Sequence, residues 1–165
     1  MPYIKLPDSI PGMRSLLTAY PETGQHLSAL AQQLLRGASS LTPAERELIA
    51  AKVSQANQCE YCMHSHAQTA RHLFSAKDNN IVDEVIFKNN NQVLSEKIHA
   101  LIEIALAVQQ SGLNVEQSHI NKAQNAGADD KTIHDTVLIS AAFRMFNRYV
   151  DGLATLTRMN RMIIM

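Results

Sequence analysis

The chain has no net charge, very little cysteine and no long apolar run, and each lack narrows what it does. Its 15 Lys and Arg balance 15 Asp and Glu. A neutral balance offers nothing to a nucleic acid or an anionic membrane surface as partner. It also leaves little charge repulsion between copies of the chain. No stretch approaches the roughly 20 apolar residues of a membrane span. The opening Met1-Pro2-Tyr3-Ile4-Lys5 lacks the apolar region of a secretory signal, so a cytoplasmic address is expected. No segment alternates convincingly as a strand, and no short-period repeat is present. Cys59 and Cys62 are the only cysteines. In the expected compartment such a pair is catalytic, redox-active or metal-binding rather than structural.

What is present is helical text. The 165 residues are 45% hydrophobic, enough to bury one sizeable core. Pro2, Pro7, Pro11 and Pro21 mark residues 1–22 as an irregular lead, with a short helix around Met13 to Tyr20. Residues 23–165 read as one all-α domain of about seven helices. Leu27, Leu30, Leu34 and Leu35 recur at helical spacing before Gly37. Thr42, Pro43 and Glu45 form a capping box with Pro at the first helical position. That box starts a helix to about Gln55, with Lys52 expected on its wet side. Asn57 is expected to cap the next helix, with Glu60 as its reciprocal partner. Ile81, Val82, Val85 and Ile86 form a short helical piece, and a long helix covers Leu94 to Gln110. Asn114 with Gln117 opens another, closed by Gly127, and Asp129 or Asp130 caps the last. The apolar tail from Met159 is expected to dock on the body or on a second copy, and Met145, Met159, Met162 and Met165 to serve as adaptable packing.

Within this text, Cys59-Glu60-Tyr61-Cys62 precedes His66 by one helical turn. Residues three and four apart on a helix are neighbours, so Cys59, Cys62 and His66 share a face. With Asn57 as cap, Cys59 falls at the second helical position, where free N–H groups and the helix dipole favour thiolate. His66 is placed to accept the Cys62 proton and needs an orienting group. Glu47, on the preceding antiparallel helix, is the best candidate, facing His66 directly or through one water. Glu45 competes, but capping already explains it.

Glu47, eleven residues, then Cys59-x-x-Cys62-x-x-x-His66 resembles the active-site pattern of the alkylhydroperoxidase AhpD-like family, in the carboxymuconolactone decarboxylase superfamily. The segment LTPAERELIAAKVSQANQCEYCMHSHAQTAR is similar to a peroxidase-related member throughout. The resemblance implies an all-α AhpD-like domain that assembles into homo-oligomers, trimers or hexamers. It implies thiol-dependent reduction of a hydroperoxide substrate, with an external dithiol reductant and no cofactor or metal. Under it Cys62 attacks the peroxide, Cys59 is the outer, resolving cysteine, and Glu47 and His66 relay protons. Better-studied peroxidases of the family carry a histidine where this chain has Tyr61, a phenol expected to line the pocket. Decarboxylase members as a rule lack the thiol pair.

Other readings compete. A thiol-disulfide exchange protein with weak peroxide activity fits the Tyr61 departure. A non-enzymatic helical assembly or redox-sensing module uses the same apolar faces. Zinc binding by Cys59, Cys62, His64 and His66 is disfavoured, because a continuous helix does not easily aim all four at one ion and no second CxxC exists. His26, His72, His99, His119 and His134 are dispersed and are assigned structural or solvent roles.

Overall fold

Local chemistry places most of the helix ends in the computed structural model, which describes residues 1–156. The helices are α1 (Met13–Ala19), α2 (Pro21–Arg36), α3 (Pro43–Ala56), α4 (Glu60–Leu73), α5 (Asn80–Val82), α6 (Glu96–Gln110), α7 (Gln117–Asn125) and α8 (Asp130–Gly152). A π-helical turn, Asp83–Phe87, continues α5, and 3-10 turns occupy Asn91–Val93 and Gly112–Asn114. The described residues are thus all-α, with eight α-helices where about seven are expected and no strand. The apolar tail with Met159, Met162 and Met165 lies outside them.

The capping box at α3 forms as read: Thr42 Oγ1 accepts the Glu45 N–H at 3.2 Å, and Glu45 Oε2 accepts the Thr42 N–H at 2.7 Å. Asp129 caps α8 by accepting the Thr132 N–H at 2.7 Å. Helix α2 starts at Pro21, ahead of Gly24, because proline's missing N–H costs nothing at a first helical position. Two expected caps are corrected. Asn114 ends a 3-10 turn, and α7 is capped by Glu116, whose N–H is accepted by His119 Nδ1 at 3.0 Å. Asn57 does not cap α4; it is the C-cap of α3, and its side chain is spent on contacts with α6 and α8.

Helix α3 is the central strut. Ala44 and every residue from Arg46 to Ser54 are buried. It packs against α2, α4, α6 and α8, and the small residues Ala50, Ala51 and Ser54 let those neighbours approach closely. A helix covered all round has no wet side. The expectation that Lys52 faces solvent is therefore overturned: Lys52 is only 5% exposed. Its ammonium donates to the Val85 carbonyl at 3.2 Å and to Asn89 Oδ1 at 2.7 Å, tying the π-helical turn to α3. Burial pushes its pKa below the ordinary lysine value.

The N-terminal segment runs as a strap across the end of α8. The Tyr3 N–H donates to the Leu153 carbonyl at 3.1 Å and the Gly12 N–H to the Leu156 carbonyl at 3.0 Å. Leu6 and Leu16 then close over a small apolar cluster that contains both cysteines and Val150. The main core is built from α2 through α8.

Candidate active site

The link between α3 and α4 is a Schellman turn. Asn57 ends α3, Gln58 takes the left-handed conformation (φ 60), the Gln58 N–H bonds the Gln55 carbonyl at 2.9 Å, and the Cys59 N–H bonds the Ser54 carbonyl at 3.0 Å. The tight reversal sets α4 antiparallel against α3. It also puts Cys59 at the N-cap of α4, not at the second helical position. Cys62 stands one turn inside, on the face that looks towards α8.

Both thiols are free and buried, but unequally. Cys59 is 1% exposed and Cys62 6%. The two sulfurs interact, and the interaction favours Cys62 over Cys59 as the thiol that gives up its proton. That interaction, then burial, pushes the Cys59 thiol up. The same interaction, aided against burial by the Asn147 side chain, holds Cys62 below the ordinary thiol value. The expectation that the helix N-terminus favours a Cys59 thiolate is thereby corrected. Lying beneath Leu6, Leu16 and Tyr61, Cys59 is kept from water, and the neighbouring sulfur disfavours its charged form.

Glu47 reaches His66 without a bridging water: Oε2 lies 2.6 Å from Nδ1. The carboxylate is 2% exposed. Its other oxygen, Oε1, accepts from Arg36 Nη2 at 2.5 Å. Burial pushes the Glu47 carboxyl up, but the hydrogen bonds and charges of His66 and Arg36 outweigh it and hold the pKa below its ordinary value. A buried anion persists only where donors of this kind meet it. With Nδ1 committed to Glu47, Nε2 is the ring nitrogen left for proton exchange. The imidazole is steadied by an edge-on contact with Phe143, ring centroids 4.6 Å apart.

Cys62 and His66 line one cavity of about 200 Å³ between α1, α2, α4 and α8. Its walls are mostly apolar, with Met13, Leu17, Leu27, Leu35, Phe143 and Phe146. Cys59 does not line it. Both cysteines are buried, and Cys62 is the sulfur that a molecule in the cavity meets. His64 points elsewhere and stacks on Phe87, centroids 5.5 Å apart. Among the described residues no group of three or more His, Cys, Asp or Glu side chains is placed to hold a metal ion.

Residues 21–83, which carry all four site residues, match the carboxymuconolactone decarboxylase family. Solved structures align over most of the chain. A peroxidase-related protein of uncharacterised function from Silicibacter sp. TM1040 is 25% identical, with a TM-score of 0.77 over 86% of this chain and 75% of its own. The chain is thus similar to the carboxymuconolactone decarboxylase family over the segment that carries the site, and to AhpD-like, peroxidase-related proteins in fold. Two further AhpD-like structures share the fold. One, an uncharacterised peroxidase-related protein from Ralstonia eutropha JMP134 described as an alkylhydroperoxidase AhpD core, is 24% identical with a TM-score of 0.80, covering 89% of this chain and 76% of its own. The other, a protein of unknown function from Agrobacterium tumefaciens assigned to AhpD-type antioxidant defence, is 18% identical with a TM-score of 0.69, covering 87% and 95%. No curated protein matches.

Against the AhpD-like pattern, Tyr61 is the departure. Its hydroxyl donates to the Pro11 carbonyl at 3.3 Å, and burial pushes its pKa up. The phenol thus stays protonated and ties the strap to α4. Two polar residues at the site escape sequence reading. Arg36 stands at the last turn of α2, eleven positions before Glu47. Asn147 is in α8, 85 residues after Cys62. Neither carries a local spacing signal, because both meet the site through packing between helices.

Proposed function

We propose that the protein is a thiol-dependent peroxidase that reduces an organic hydroperoxide at Cys62. The observation that carries this reading is the placement of Cys62, its pKa held down, in one apolar cavity with an imidazole whose Nδ1 is held by a buried carboxylate. His66 takes the Cys62 proton on Nε2, and Glu47 stabilises the resulting imidazolium. The thiolate attacks the distal peroxide oxygen; the S–O bond forms as the O–O bond breaks. The leaving alkoxide takes the proton from His66 and departs as an alcohol. Cys62 is then a sulfenic acid. The Cys59 thiol attacks the Cys62 sulfur, the S–S bond forms, the S–O bond breaks, and hydroxide leaves with the Cys59 proton as water. An external dithiol is oxidised to its disulfide as it returns both cysteines to thiols. The sulfur open to that reductant through the cavity is Cys62. The apolar walls favour an alkyl or aryl hydroperoxide over hydrogen peroxide.

The test is turnover of cumene hydroperoxide by the native chain and by the C59S and C62S variants, with intact mass after one equivalent of peroxide. The expected result is loss of turnover in C62S, and in C59S one oxidation that halts at a sulfenic acid. Undiminished turnover in both variants sinks the reading. The Tyr61 departure favours one alternative, thiol-disulfide exchange, and faster reaction of the reduced chain with a small disulfide than with peroxide establishes it instead.

A further inference from the structure

Behind Cys62, away from the Glu47–His66 pair, lies a line of polar side chains that the proposed reaction does not use. Arg144 Nη1 donates to Asn57 Oδ1 at 3.3 Å, and Gln109 Nε2 donates to the same oxygen at 2.9 Å. Asn57 Nδ2 donates to Asn147 Oδ1 at 2.7 Å. Asn147 Nδ2 donates to Ser54 Oγ at 3.1 Å, and the same side chain lies close enough to Cys62 to favour its charged form. Four elements meet here: α3 through Ser54, the α3–α4 link through Asn57, α6 through Gln109, and α8 through Arg144 and Asn147. Asn147 is 1% exposed, so water does not compete for its amide.

The direction of this line is decided at its outer end. A guanidinium only donates, so the Asn57 atom facing Arg144 is the oxygen. The other end of the Asn57 amide is then the donor, and the Asn147 atom facing it is in turn the oxygen. Only the NH2 group of Asn147 remains for Ser54 and Cys62. Each amide passes the constraint on, and aligned dipoles strengthen one another in a dry interior.

We propose that Arg144, Asn57 and Asn147 form a one-way hydrogen-bond chain that presents an N–H donor to the Cys62 sulfur, with Asn147 stabilising the attacking thiolate and Arg144 and Asn57 acting as positioning residues. The inference rests on the reading of Cys62 as the attacking sulfur. The chain also explains the choice between two adjacent thiols: the fixed donor is aimed at Cys62. Cys59 can then serve as a second donor to the same sulfur. The other titratable groups around that sulfur are Tyr61 and His66 on α4 and Asp151 on α8, whose negative charge opposes the thiolate.

The experiment is the pH dependence of Cys62 alkylation by iodoacetamide, read by peptide mass in the native chain and in N147A and R144M, with peroxide turnover followed in parallel. Removing the Asn147 amide is expected to raise the midpoint by about one pH unit, roughly a tenfold loss of thiolate below it. R144M is expected to slow alkylation about threefold at fixed pH through weaker alignment of the two amides. A folded N147A whose midpoint equals that of the native chain overturns the proposal. If N147A does not fold, an unmoved midpoint in R144M overturns it. A shifted midpoint in a chain that never turns over peroxide upholds this inference and sinks the peroxidase reading alone.

Discussion

His66 Nδ1 and Glu47 Oε2 lie 2.6 Å apart, and the second oxygen of the same carboxylate is held by Arg36 at 2.5 Å. The three side chains come from α4, α3 and α2, so this end of the site exists only while these helices stay in register. Arg36 orders the pair from the solvent side and supplies the charge that keeps a nearly inaccessible carboxyl ionised.

Replacing Arg36 therefore acts through Glu47. R36M removes a charged hydrogen bond from a buried acceptor, a loss of about 1.5–3 kcal/mol. The low end is expected, because Arg36 is about one third exposed and solvent screens its charge. The Glu47 pKa rises, so the acid limb of the kcat/KM profile for peroxide moves to higher pH. Thermal unfolding together with the pH profile checks both effects. An unchanged acid limb means that Arg36 serves only to join α2 to α3.

Stability in acid tests the same carboxylate. Its pKa is lower in the folded chain than in the unfolded one, where the ordinary value is 4.5. The unfolded state thus binds the proton first on acidification. The stabilisation is fully present above about pH 5 and is lost as pH falls through the folded value. E47Q, neutral at every pH, is expected to be less stable than the native chain at pH 7, with the difference shrinking steadily below about pH 4.5. Urea unfolding of both chains across that range measures it, and a constant difference refutes the assignment.

Gly12 controls the strap over Cys59. Its φ is +57, and a Cβ there would sit 1.9 Å from Tyr61 Cε1. G12A forces both a left-handed alanine and a displaced phenol ring, at a cost of about 1–3 kcal/mol. The cover over Cys59 loosens with it. Alkylation of Cys59 is expected to accelerate at least several-fold, and by more than that of Cys62, whose cavity Tyr61 also lines. Peptide-resolved labelling separates the two, and equal acceleration of both thiols would refute the strap's specific role.

Much of this was legible in the residues. The capping box at Thr42 and Glu45, the αL turn at Gly127 and the Asp129 cap are local events, set by side chains reaching backbone three or four positions away. The all-α class follows from apolar spacing, and the thiol and imidazole positions follow from helical period. The misread positions have a common cause. A lysine in a helix ordinarily faces solvent, yet α3, which carries Lys52, is surrounded on every side. Asn57 has the composition of an N-cap, yet its amide is claimed by Asn147, Gln109 and Arg144 from distant helices.

The sulfur pair shows where local information ends. Spacing along the chain brings Cys59, Cys62 and His66 to one face of a helix, because 3.6 residues complete a turn. It says nothing about which thiol loses its proton. Burial under the strap, the neighbouring thiol and a side chain from α8 together lower the Cys62 pKa and raise that of Cys59. Burial and donors are supplied by parts of the chain far apart in order, and only packing brings them within reach of the sulfur.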